Sequence, residues 1–213
     1  MKRRILSLLL AVCTAVSLLA LPAGAATSGT VTFSDVSDRD TAMAAESLRL
    51  MGVLDGYGDG TFRPGTSLTR AQFCKMAVYA MNGEDELGRY STVTVFPDVK
   101  PSYWASSYIN MAAKGKGIIA GYVDGQFHPD RTVTVGQAVT ILLRLLGYKD
   151  ENLGGIWPQS YMAEAQTNGL LKSTGITSAY AGLTRAQAAR LFLNLFEAKH
   201  GKGDALFLSL IHI

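Results

Sequence analysis

Thr69-Arg70-Ala71-Gln72 and Thr184-Arg185-Ala186-Gln187 each place a cation at the first position of an expected helix; Thr134-Val135-Gly136-Gln137 is a third copy, with valine in place of the arginine. A cation at that position faces the positive end of the helix dipole, so something outside the helix should compensate. An anion bound at the helix start would gain open backbone N–H groups and a guanidinium fork together. Arg70 and Arg185 are therefore candidate carboxylate-binding residues, with Thr69, Gln72, Thr184 and Gln187 beside them. A competing reading has the arginines pair with an acidic side chain of a neighbouring repeat and hold the chain together.

The elements that must position these residues are repeated. Gly52 to Pro64 aligns with Gly117 to Pro129 at an offset of 65 residues, and the same offset carries Thr69 onto Thr134. Self-similarity at a fixed period marks a repeat architecture, and repeated surfaces usually bind. Phe33-Ser34-Asp35-Val36 opens one repeat and Phe96-Pro97-Asp98-Val99 the next, with Asp35 and Asp98 suited to turns in which the carboxylate bonds nearby backbone N–H groups. First helices are expected over about 40–51 and 103–114, the latter with Trp104, Tyr108, Met111 and Ala112 on one buried face. Trp157-x3-Tyr161-x3-Ala165 repeats the spacing of Trp104-x3-Tyr108-x3-Ala112, which recovers a third, degenerate repeat whose glycine loop is reduced to Ser173–Gly182. Linkers fall at 82–95 and 147–156. The second helix of each repeat starts with a threonine followed three residues later by glutamine, a capping box worth about 1 kcal/mol. These helices should run to about 80, 146 and 198.

Together, Phe-x-Asp-Val, Trp-Ala, Gly-Ile-Ile-x-Gly-Tyr-x-Asp-Gly-x-Phe-x-Pro and Thr-Arg-Ala-Gln resemble the S-layer homology (SLH) repeat of bacterial surface proteins. The resemblance is strong over 33–82 and 96–148 and weak over 156–198. It implies a mainly α protein, three tandem helix-loop-helix repeats folded into a three-pronged pseudo-trimer. It also implies non-covalent docking onto an anionic, pyruvylated secondary cell-wall polymer in grooves between repeats, on the envelope of a Gram-positive-type bacterium. A ketal carboxylate would then be the anion for Arg70 and Arg185, and its sugar ring could stack on Trp104 or Trp157. Both tryptophans also read as core residues at helical spacing, and the two readings stay open. Since Val135 replaces the arginine, fewer than three strong sites are expected. A self-assembly unit that packs against other surface-layer proteins without touching glycan is the alternative.

Other chemistries find little support. Residues 1–25, with Lys2, Arg3 and Arg4 ahead of an apolar run and Ala23-Gly24-Ala25 at its end, read as a secretory signal, leaving no membrane association once removed. The whole chain has 20 basic and 17 acidic residues, and three of the basic ones lie in that leader, so the remainder is formally neutral. A nucleic-acid binder would carry a basic excess. Beyond the leader only Cys74 remains, which excludes an intramolecular disulfide. Asp55-x-Tyr57-x-Asp59-Gly60 superficially resembles a calcium loop, yet Thr66 stands where a bidentate glutamate is required. His128, His200 and His212 form no metal or catalytic pattern, so no cofactor, metal or enzymatic activity is expected. Residues 199–213 match no repeat and form a tail of unknown role.

Overall fold

The computed structural model describes residues 33–198; the leader, the 26–32 lead-in and the tail expected from the sequence lie outside the described residues. The described chain is mainly helical. The helices are α1 (Arg39–Leu50), α2 (Arg70–Ala80), α3 (Ser106–Asn110), α4 (Val135–Leu145), α5 (Asp150–Leu153), α6 (Gln159–Thr167) and α7 (Arg185–Glu197). A 3-10 helix, Glu84–Tyr90, occupies the first linker, and a π-helical turn, Met111–Gly115, extends α3. The expected helix over 103–114 therefore starts three residues late, and Trp104 sits ahead of it at 53 % exposure rather than on its buried face.

All three capping boxes form. The hydroxyls of Thr69, Thr134 and Thr184 accept from the amides of Gln72, Gln137 and Gln187, and each glutamine side chain accepts from its threonine amide in return. Just before these caps the three segments meet in a closed ring of main-chain hydrogen bonds. The Leu68 amide donates to Leu183, that of Leu183 to Val133, and that of Val133 back to Leu68, at 2.9–3.0 Å. Isolated antiparallel bridges Ser67–Thr184, Thr69–Thr132 and Thr134–Gly182 accompany it. Leu68, Val133 and Leu183 are buried at the centre.

Packing is out of phase with the sequence repeat. α3 packs on α2, α6 on α4, and α1 on α7. Each capped helix is thus covered by the helix that follows it from the next segment, and α7 by the leading α1. Phe73 and Phe192, with ring centroids 5.2 Å apart, join the first and third repeats in one core.

The opening motif clamps the glycine loop. Asp35 accepts from the amides of Phe62 and Arg63 at 2.7 Å, and Asp98 from those of Phe127 and His128 at 2.9 and 2.7 Å. The amides lie 27–30 residues away, so the carboxylates close a long loop rather than the local turn expected from the sequence. Burial alone would raise the Asp35 pKa, but these amide bonds outweigh it and the pKa is lowered. The clamp also holds Arg63 and His128 in left-handed backbone (φ 57° and 54°), a conformation unfavourable for residues with a Cβ. Within the loops, Gly56 and Gly121 are needed for close approach rather than for positive φ. A Cβ there would lie 2.3 Å from the Phe33 ring and 2.6 Å from the Phe96 ring, the two aromatics that pack on Phe62 and Phe127.

Candidate functional site

The arginines of the repeated motif reach across repeat boundaries. Arg70 Nε donates to the Phe127 carbonyl at 2.9 Å and Nη2 to that of Ala120 at 3.1 Å, both in the second repeat's loop. Arg185 does the same in the first repeat's loop, to Phe62 at 2.7 Å and Asp55 at 2.9 Å. Each guanidinium also lies over two rings, Tyr122 and Phe127 for Arg70 (4.6 Å to each centroid) and Tyr57 and Phe62 for Arg185 (5.0 and 4.7 Å). Burial lowers both guanidinium pKa values, although arginine stays charged at any ordinary pH.

The helix starts themselves are not open to an anion. The Arg70 and Ala71 amides donate to the Arg131 and Pro129 carbonyls, those of Val135 and Gly136 to Ala181 and Ala179, and those of Arg185 and Ala186 to Thr66 and Pro64. The third amide of each helix is taken by the capping threonine. The cation at each of these two helix starts is met by carbonyl oxygens of a distant loop rather than by an acidic side chain. Val135, fully buried, cannot make this tie.

Beside each arginine lies a groove assembled from three repeats. Groove one holds about 400 Å³ between the Leu54–Tyr57 turn, the α2 residues Gln72, Lys75 and Tyr79, Trp104 of the second repeat and Arg185 of the third. Groove two, about 210 Å³, repeats the plan with Ala120–Tyr122, Gln137, Thr140 and Arg144, Trp157 of the third repeat and Arg70 of the first. Trp104 and Trp157 are 53 % and 46 % exposed, so neither is a core residue. Trp157 is oriented by its Nε1, which donates to the Thr140 hydroxyl at 3.1 Å. Tyr122 is fixed by Gln137 Nε2, which donates to its hydroxyl at 2.8 Å.

At the third equivalent position stands Arg190 of α7. It donates to the Ser173 carbonyl and to the Asp38 carboxylate, and to the Thr41 hydroxyl at 2.7 Å. Thr41 stands where the other repeats have tryptophan. Lys75, Thr140 and Arg190 occupy the same place, five residues after the first helical position, and they set the character of the three positions. Sequence reasoning missed this place because the residue types differ, and missed Tyr57 and Tyr122 because their loop reads as a turn. Of the expected site residues, Gln72, Trp104 and Arg185 meet in groove one and Trp157 and Arg70 in groove two, whereas Thr69, Thr184 and Gln187 serve the capping boxes. No group of three or more His, Cys, Asp or Glu side chains suited to a metal ion occurs among the described residues.

The S-layer homology domain model matches residues 32–74 and 95–139. The Middle cell wall protein of Brevibacillus brevis is 30% identical over 172 residues, 80% of this chain and 16% of the relative. The Cell surface protein of Thermoanaerobacter kivui is 34% identical over 170 residues, 78% of this chain and 21% of the relative. The Cellulosome-anchoring protein of Acetivibrio thermocellus is 29% identical over 132 residues, 56% of this chain and 29% of the relative. The chain thus spans less than a third of the length of each of these curated relatives. The matches place it at the bacterial cell surface, and none of its described helices is long and apolar enough to cross a membrane. With two matched copies and relatives that align over most of its length, the chain is an S-layer homology domain protein.

Proposed function

We propose that the chain is a non-catalytic anchoring module that holds an exported protein to the cell wall by binding an acidic, pyruvylated secondary wall polymer. The observation that carries this reading is the pair of exposed tryptophans, each at the rim of a groove that also offers a tyrosine, an amide or hydroxyl, and a cation. Flat aromatic faces with a few placed polar groups suit sugar rings. The relative named as cellulosome-anchoring protein supports the anchoring part. Repeats over 33–82, 96–148 and 156–198 form the module; the third is supported by its capping box and its share of the central hydrogen-bond ring. Trp104 and Trp157 are the sugar platforms and Gln72 a polar contact. Arg70 and Arg185 border the sugar with the guanidinium edge that the loop carbonyls leave over. Two grooves on one rigid body allow bivalent engagement of a polymer, which raises avidity without new contacts.

Retention on purified walls, compared before and after removal of the secondary polymer, tests the reading. Loss of retention with the polymer is expected. Retention that persists on stripped walls, or a chain that forms sheets without wall material, would favour the self-assembly alternative instead.

A further inference from the structure

We propose that the two grooves differ in the charge of the sugar they accept: groove one takes the carboxylate-bearing unit on Lys75, and groove two takes an uncharged unit against Trp157. The inference rests on the anchoring reading and assigns its chemistry to one place.

In groove one the half-buried Lys75 points its ammonium toward the Tyr79 ring, 5.4 Å from the centroid. No carboxylate lies within ion-pair distance of it among the described residues. The lining holds one acid, Asp55, against two cations, Lys75 and Arg185. The Tyr79 face meets the ammonium on one side only, and an arriving carboxylate supplies the charge partner that no described residue provides. Trp104, in the same lining, offers the face on which the attached sugar rests.

Groove two is finished internally. Thr140 replaces the lysine, and its hydroxyl is occupied on both sides, accepting from Trp157 and donating to the Gly136 carbonyl at 2.8 Å. Arg144 forks onto Asp150 at 3.0 and 2.5 Å. Arg70 is 4 % exposed and committed to the loop carbonyls. This lining also holds two cations, but Arg144 is already paired with Asp150 and Arg70 is almost wholly buried, so an acid finds no accessible unpaired ammonium, whereas a neutral ring meets the tryptophan face. At the third position Arg190 has its own carboxylate, Asp38, and is not left without a charge partner.

The test is calorimetric titration of the whole chain with the methyl glycoside of a hexose carrying a pyruvate ketal, and with the same glycoside lacking the ketal. The ketal sugar should bind tighter by about tenfold at low salt, with one acid-selective site per chain, and the gap should narrow as salt rises. Lys75→Gln should reduce the gap to less than about twofold, with an unchanged circular dichroism spectrum and melting temperature reporting that the variant is folded; Lys75→Arg should keep most of the gap. Two equivalent acid-selective sites in the parent, or a Lys75→Gln chain with the gap intact, would overturn the charge assignment while leaving anchoring in place. Binding of neither sugar by the parent, together with no retention on walls, would remove the anchoring reading and this inference with it.

Discussion

Replacing Arg70 with alanine separates a tie between repeats from a side chain held ready for ligand. The substitution removes two hydrogen bonds from a charged donor, at 2.9 and 3.1 Å, to carbonyls 50 and 57 residues away. Such bonds contribute about 1.5–3 kcal/mol each; the lower value suits Ala120, whose carbonyl borders the groove and can be rehydrated. The ring contacts with Tyr122 and Phe127 add about 0.5–1 kcal/mol. Relief of the unfavourable cation at the helix start returns about 0.3–1 kcal/mol. The net loss is about 3 kcal/mol, roughly 6–12 °C in Tm for a chain of this size. Arg70→Lys keeps the charge but not the planar fork, so it should satisfy one carbonyl at a time and lose about half as much. Urea unfolding followed by circular dichroism measures both, with an unchanged m-value as the sign that the two states remain comparable. A loss below about 1 kcal/mol for the alanine variant, or full stability in the lysine variant, would refute the idea that Arg70 joins the first repeat to the second.

Trp104→Ala, at a residue 53 % exposed, should change stability by less than about 1 kcal/mol yet sharply reduce retention on walls; thermal melts and pull-downs on one preparation check both. Gly121→Ala places a methyl 2.6 Å from Phe96 and 2.9 Å from the Gln126 carbonyl, and should cost about 1–3 kcal/mol by overpacking, read from the urea midpoint. Asp38 accepts from the Thr41 hydroxyl and amide and from Arg190, which holds its pKa below the usual 3.8 in the folded chain. Its contribution is therefore complete above pH 3.8 and lost as pH falls through the lower folded value. Urea midpoints between pH 5 and pH 2 should fall, and Asp38→Asn should flatten that slope; an unaltered slope would count against the Asp38–Arg190 closure.

The helix starts were legible in the sequence because a capping box is local: threonine and glutamine three residues apart satisfy each other wherever the rest of the chain goes. Arg70 was legible as an anomaly, since a cation at a helix start demands compensation, but its partners were not. They are main-chain carbonyls, which have no sequence signature, and they lie in another repeat. Trp104 could be read both as part of a buried stripe and as a sugar platform, because helical spacing continues past the point where the helix begins. The grooves were hidden for a related reason. Gln72, Trp104 and Arg185 come from three different repeats, and only the out-of-phase packing brings them together. Lys75 is a single lysine on a helix, visible as a candidate only once its neighbours and its lack of a counter-ion are known.

The cyclic hand-over of helices has a consequence for how such modules can be enlarged. Because α1 completes α7, the described helices close on themselves, unlike a solenoid that can grow by one turn at either end. A fourth copy appended in tandem would find nothing to dock on, and loss of one copy would strand two half-built cores. Units of this kind should therefore be gained or lost as whole trios, and a severed trio should melt as a single cooperative body rather than shed one member at a time.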